Sequence, residues 1–186
     1  MSATTDAIVL SLQPHSDKAF VVHAYTRAGG RINYMVYGLG RKNAAGLYTP
    51  LSLLQITTDK TSIRTAQLSF VPTSITTDPY KRTVALFLSE VLYHILRHPM
   101  QDEPMFDFIA EAVQALDQTE EPQNFHLQFL IGLAAKLGFG MVSEPAMPTT
   151  RKDRQEALRE LCAYFAEHVD TWKEPKSLDI LMEVFD

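Results

Sequence analysis

Phe20–Tyr37, FVVHAYTRAGGRINYMVY, is the stretch whose reading decides the fold. Ile32, Tyr34 and Val36 fall on one side of an extended chain and Asn33, Met35 and Tyr37 on the other, the alternation of a strand with one buried face. Phe20–Thr26 is a matching run of β-branched and aromatic residues, and Gly29-Gly30 between the two accepts the positive φ of a tight hairpin. Ala7–Leu12 upstream and Leu51–Thr57 and Ile63–Phe70 downstream add three more such runs. Five strands with no long helix among them predict a small closed β-barrel of the oligonucleotide-binding (OB) kind over residues 1–76.

From residue 77 the period becomes helical, so the whole chain reads as α+β, the barrel followed by an all-helical domain over 77–186. Asp78-Pro79 is an N-cap before a proline, and Val84, Leu88, Val91, Leu92 and Ile95 recur three and four apart. A second helix is predicted from about Pro104 to Leu116, with Phe106, Ile109, Val113 and Leu116 as its core stripe. A third follows Asn124 as cap and stops at Gly138, a fourth spans Arg151 to Trp172, and Ser177 caps a short last one. Gly140–Thr150, with Pro145 and Pro148, reads as a loop.

Of the 186 residues 46% are hydrophobic and 21% charged, the composition of an ordinary globular protein able to bury a core. No stretch approaches the roughly 20 apolar residues of a membrane span. The amino terminus has no basic region followed by an apolar one, so a cytoplasmic location is expected. Cys162, the single cysteine, rules out an internal disulfide and a multi-cysteine zinc module, and it is expected to pack. The net charge of -5 hides an asymmetry: residues 1–80 carry seven Lys or Arg against four acids, +3, and the rest sum to -8.

The positive part carries the candidate nucleic-acid site: Lys18, Arg27, Arg31, Arg41 and Lys42, interleaved with Tyr25, Tyr34 and Tyr37. A barrel that tracks a strand needs cations for phosphates and aromatic faces for bases, and both residue types share these runs. Arg41-Lys42 weighs most, because glycines flank it and no acid intervenes between Asp17 and Asp59. His94 and His98 stand four apart, but no glutamate follows His94 and no third ligand is evident, so no metal or other cofactor is expected. Neither a Gly-x-Ser-x-Gly turn nor a phosphate-binding Gly-Lys-Ser/Thr loop occurs, which argues against hydrolase and ATPase chemistry and for a non-enzyme. A groove between the helices is a candidate seat for a partner's short hydrophobic tail, with His94, Arg97 or Lys136 pairing its carboxylates. The -8 balance also admits another class, a protein adaptor whose acidic helical half mediates assembly.

One ordered set of segments runs through the barrel half: Ala7-Ile-Val-Leu10 with Ser16-Asp-Lys18, Tyr25-Thr-Arg27 with Gly30-Arg31, Tyr37-Gly38 leading to Gly40-Arg-Lys42, and Leu47–Leu54. Leu86–Leu92, Met105-Phe-Asp107, Phe129-Leu130, Leu137-Gly-Phe139 and Lys176-Ser-Leu178 followed by Ile180–Phe185 continue it through the helices. In this order and spacing the chain resembles the RecO family of recombination mediators. The resemblance implies an OB barrel joined to a helical domain that binds single- and double-stranded DNA, anneals complementary strands and helps load recombinase. Its implied partners are RecR, RecF and the acidic tail of the single-stranded DNA-binding protein, in the bacterial cytoplasm near the nucleoid. By segment, Arg27, Arg31, Arg41 and Lys42 stand where the family's barrel presents cations. The chain departs from the family in lacking a four-cysteine zinc module and in a short stretch between Gly140 and Arg151.

Overall fold

The structure is a computed structural model that describes residues 2–38, 45–141 and 146–184, so Arg41 and Lys42 lie outside the described residues. The chain forms two compact units, Met1–Pro72 with Leu96–Gln114, and Thr73–Ile95 with Ala115–Asp186. The first therefore takes in 96–114, a stretch that a cut at residue 76 leaves with the helices.

In the first unit the strands β1 (Ser2–Ser16), β2 (Ala19–Thr26), β3 (Gly30–Tyr37), β4 (Leu53–Asp59) and β5 (Ser62–Leu68) close in the order β1-β2-β3-β5-β4, all neighbours antiparallel except β3 and β5. This is the OB barrel expected from the strand runs. β1 is longer than its apolar core Ala7–Leu12 announces, because its first half pairs with β4 and its second with β2. Closure through one strand recruits the polar Ser2–Asp6, which carry no alternation of their own.

The predicted alternation holds: Tyr34 and Val36, with Ala7, Val9, Val22, Ala24, Tyr48, Leu54 and Ile56, are buried inside the barrel, and Ile32 packs against them. The β2–β3 hairpin is a three-residue loop with Thr26 paired to Gly30, and Gly30 takes φ +64. Thr26 Oγ1 accepts from the Gly29 amide and donates to the Gly30 carbonyl, which fixes the turn.

The helices are α1 (Pro79–Ile95), α2 (Glu103–Gln118), α3 (Phe125–Lys136), α4 (Arg151–His168) and α5 (Leu178–Val184). Asp78 caps α1 by accepting from the amides of Tyr80 and Lys81. Gly138, at φ +90, ends α3 with the Phe139 amide on the Ala134 carbonyl.

Three helix-end expectations need correction. Asn124 gives α3 no side-chain cap; its amide donates to the Pro148 carbonyl, and a 3-10 turn at Pro122–Asn124 leads into the helix. The Ser177 hydroxyl donates to Glu90 Oε2 instead of capping α5. Helix α4 stops at His168, four residues before Trp172, because Val169 is already extended. Thr150, accepting from the Asp153 amide, starts α4. In the second unit Phe87, Leu88, Leu92, Leu116, Leu127, Leu130 and Phe165 are fully buried. Phe106, Ile109 and Val113, expected in the helical core, belong to the barrel-bearing unit.

Candidate nucleic-acid interface

Register places Ala19, Val21, His23 and Tyr25 of β2 opposite Tyr37, Met35, Asn33 and Arg31 of β3. Because the inner face of these strands holds Val22, Ala24, Tyr34 and Val36, this set forms the outer wall. Tyr34 is thereby removed as a stacking platform: it is 5% exposed in the barrel core, and burial raises its hydroxyl pKa.

The wall divides into two halves. In one, Tyr37 is 64% exposed at the end of β3, with Met35 and Val21 half-buried beside it. Lys18 is exposed in the two-residue β1–β2 turn, whose carbonyl accepts from the Gly38 amide next to Tyr37. The Met35 amide donates to Thr61, which brings the β4–β5 turn and its exposed Lys60 to the same end. Among the described residues neither Lys18 nor Lys60 enters an ion pair, whereas Arg64 is held 2.8 Å from Asp59. OB barrels engage strands through this face and these two turns. Lys60 was absent from the candidates drawn from the sequence, since a lone lysine between two strand runs stands out only once the barrel order brings its turn beside β3.

In the other half the wall is covered. Tyr25 is 3% exposed and faces Phe106, with ring centroids 6.5 Å apart and planes at 17°. Burial, with Asp102 adding, pushes its hydroxyl pKa up to about 12. Ile8, which pairs with Tyr25 across β1 and β2 and alternates with the inward Ala7 and Val9, is fully buried as well. Arg27 Nη2 donates to Asp107 Oδ1 at 2.6 Å, its Nε lies 3.6 Å from Asp6, and its guanidinium sits 4.5 Å from the Phe106 centroid. The hydrogen bond to Asp107 raises the Arg27 pKa despite some desolvation. Arg31 donates from Nη1 to the Leu96 carbonyl and from its amide to His98.

The cations that the sequence groups together are thus separated: Arg27 and Arg31 bind the chain's own residues 96–107 at one end of the wall, and Lys18 stands with Tyr37 and Lys60 at the other. Between them His23 Nδ1 meets Asn33 Oδ1 at 2.7 Å. Burial, with Arg31 nearby, lowers the His23 pKa although the Asn33 bond opposes it.

Helices α3 and α4 flank an apolar groove of about 220 Å³, lined among others by Leu127, Ile131, Met147, Pro148, Leu161 and Tyr164. Of the proposed partner residues, Lys136 is exposed at the end of α3, His94 is half-buried on α1 with its ring edge-on to Tyr93, and Arg97 is exposed in the first unit. Sequence patterning missed one polar cluster altogether. Asp117, at the end of α2, accepts hydrogen bonds from the amides of Thr73, Ser74 and Ile75 and from the Thr73 hydroxyl. Buried Lys81 donates to Ser74 Oγ and to the Asp117 carbonyl, which also accepts from the Ser74 hydroxyl. Burial works against the Asp117 charge, but these donors outweigh it and lower its pKa.

Residues 1–78 match the family described as Recombination protein O N terminal, and residues 76–144 the one described as Recombination protein O C terminal. The DNA repair protein RecO of Porphyromonas gingivalis is 33% identical over 150 residues, which cover 74% of this chain and 61% of that protein. Its counterpart from Bacteroides fragilis is 36% identical over 149 residues with the same coverage. That from Flavobacterium johnsoniae is 29% identical over 236 aligned positions spanning the whole of both chains. With 186 residues here, at least 50 of those positions have no counterpart in this chain.

Proposed function

The chain belongs to the RecO family of DNA repair proteins, and from that premise we propose that it binds DNA, anneals complementary strands and helps load recombinase together with RecR, without covalent chemistry. The observation that carries the DNA part is the open half of the outer wall: an exposed tyrosine with a lysine turn on each side. A base stacked on Tyr37, with Lys18 and Lys60 on neighbouring phosphates, supplies the two interactions that strand binding without sequence readout needs. Arg41 and Lys42, four and five residues after Tyr37 in the sequence, are further phosphate contacts in this reading.

The partners we assign are single- and double-stranded DNA, RecR and RecF, and the acidic tail of the single-stranded DNA-binding protein, in the bacterial cytoplasm at the nucleoid. The apolar groove between α3 and α4 is the seat we assign to that tail's hydrophobic end, with Lys136 for its carboxylates.

Titration of the full chain with single-stranded and duplex oligonucleotides across salt tests the reading. Lys18→Glu combined with Arg41→Glu and Lys42→Glu is expected to weaken binding and flatten the salt dependence by about 0.7 per lost single-strand phosphate contact. Tyr37→Ala is expected to lose about 1–3 kcal/mol with little change in that slope. Unchanged binding in both variants would move the site off this wall. Retention of a protein partner without oligonucleotide binding at low salt would favour the adaptor reading.

A further inference from the structure

The covered half of the β2–β3 wall consists of residue types that bind a nucleotide, and residues 96–107 supply the counterpart of each. Phe106 lies nearly parallel to Tyr25, where a base would stack. Asp107 holds Arg27 at 2.6 Å, as a phosphate oxygen would. The Leu96 and His98 carbonyls take the donors of Arg31. Resting on the DNA-binding reading above, we propose that residues 96–107 are an internal mimic of a bound strand, which closes this half of the barrel face to nucleic acid and confines DNA to the half at Lys18, Tyr37 and Lys60.

Ordinary packing against a strand pair joins apolar surfaces. The mimic adds a stacked ring over Tyr25 and, at the end of the wall away from Tyr37, a cation–carboxylate pair. That pair is adjustable, because the Arg27 and Asp107 side chains are 36% and 51% exposed while Phe106, the anchor, is 4% exposed. Releasing Arg27 from Asp107 frees a cation at the far end of the barrel face and leaves the anchor in place.

A double-mutant cycle on the full chain, read by titration with oligothymidylates of increasing length across salt, decides this. In the parent, Arg27→Gln should leave affinity and salt slope unchanged, since Arg27 is committed to Asp107. Asp107→Lys should steepen the slope by about 0.7 and lengthen the occluded stretch of strand, and adding Arg27→Gln should remove that increment. Glu111→Lys, the same charge change one turn on at an exposed position of α2, controls for net charge. The mimic is overturned if Arg27→Gln acts alike in both backgrounds, or if Asp107→Lys does no more than Glu111→Lys. If Asp107→Lys unfolds the chain, Asp107→Ser carries the same comparison. A parent that binds no oligonucleotide at low salt overturns the DNA reading and the mimic together. Binding that responds to Lys18→Glu without any Arg27–Asp107 coupling overturns the mimic alone.

Discussion

Asp117 and His126 show how single buried polar groups set the pH range in which the second unit is stable. Asp117 is 7% exposed and gathers the amides of Thr73, Ser74 and Ile75. Its lowered native pKa means a stabilising contribution that is present above the unfolded value of 3.8 and lost as pH falls through the native one. Asp117→Asn should therefore destabilise by about 2–3 kcal/mol at neutral pH, with parent and variant converging in strong acid, as read by denaturant midpoints across pH.

His126 acts on another window. Complete burial, with Arg154 adding, pushes its pKa down to about 3, so between the unfolded value of 6.5 and 3 the unfolded chain binds a proton that the native chain refuses. Stability should fall over that interval by up to about 1.4 kcal/mol per pH unit. Replacing His126 by Leu is expected to flatten the profile there; an unchanged slope would place the loss elsewhere.

At the scale of elements, the β2–β3 hairpin does more than turn the chain. Gly30 combines φ +64 with a Cβ position that would run into the Met100 carbonyl oxygen, so a side chain there meets backbone strain and a backbone clash together. Gly30→Ala is expected to cost at least about 2 kcal/mol, measurable in thermal melts, whereas Gly46→Ala, with open space around it, should cost less. The sequence marked Gly29-Gly30 as a turn, but not the close approach of Met100, which is 70 residues further on. Strand and helix positions were legible because alternation and the three-to-four spacing are local. The ends were less so: Asn124 and Ser177 have the chemistry of caps, yet tertiary partners, Pro148 and Glu90, engage their side chains.

For the whole molecule, the +3 excess of residues 1–80 does not survive folding into units. Counting 96–114 with Met1–Pro72 gives eight basic and seven acidic side chains, +1, because Asp102, Glu103, Asp107 and Glu111 join the barrel. The unit as a whole therefore carries no large positive excess, and DNA binding in the proposed reading rests on where single cations stand. The same partition predicts that a fragment ending at residue 76 lacks the Phe106 ring over Tyr25, a burial worth about 1.5–3 kcal/mol. Such a fragment should unfold with reduced cooperativity and bind a hydrophobic dye that the full chain does not.

By itself the sequence determined the barrel, the succession of helices after it and the family, since each is written in local periodicity or in the order of segments. It also supplied the residue types of a strand-binding surface. Only the tertiary structure decided which of them face solvent. Tyr25, Arg27, Arg31 and Tyr37 lie within thirteen residues of sequence, yet strand pairing sends them to opposite ends of one wall, and residues 96–107 then cover one end. Burial and charge neutralisation depend on neighbours distant in sequence, and no pattern within a single strand encodes them.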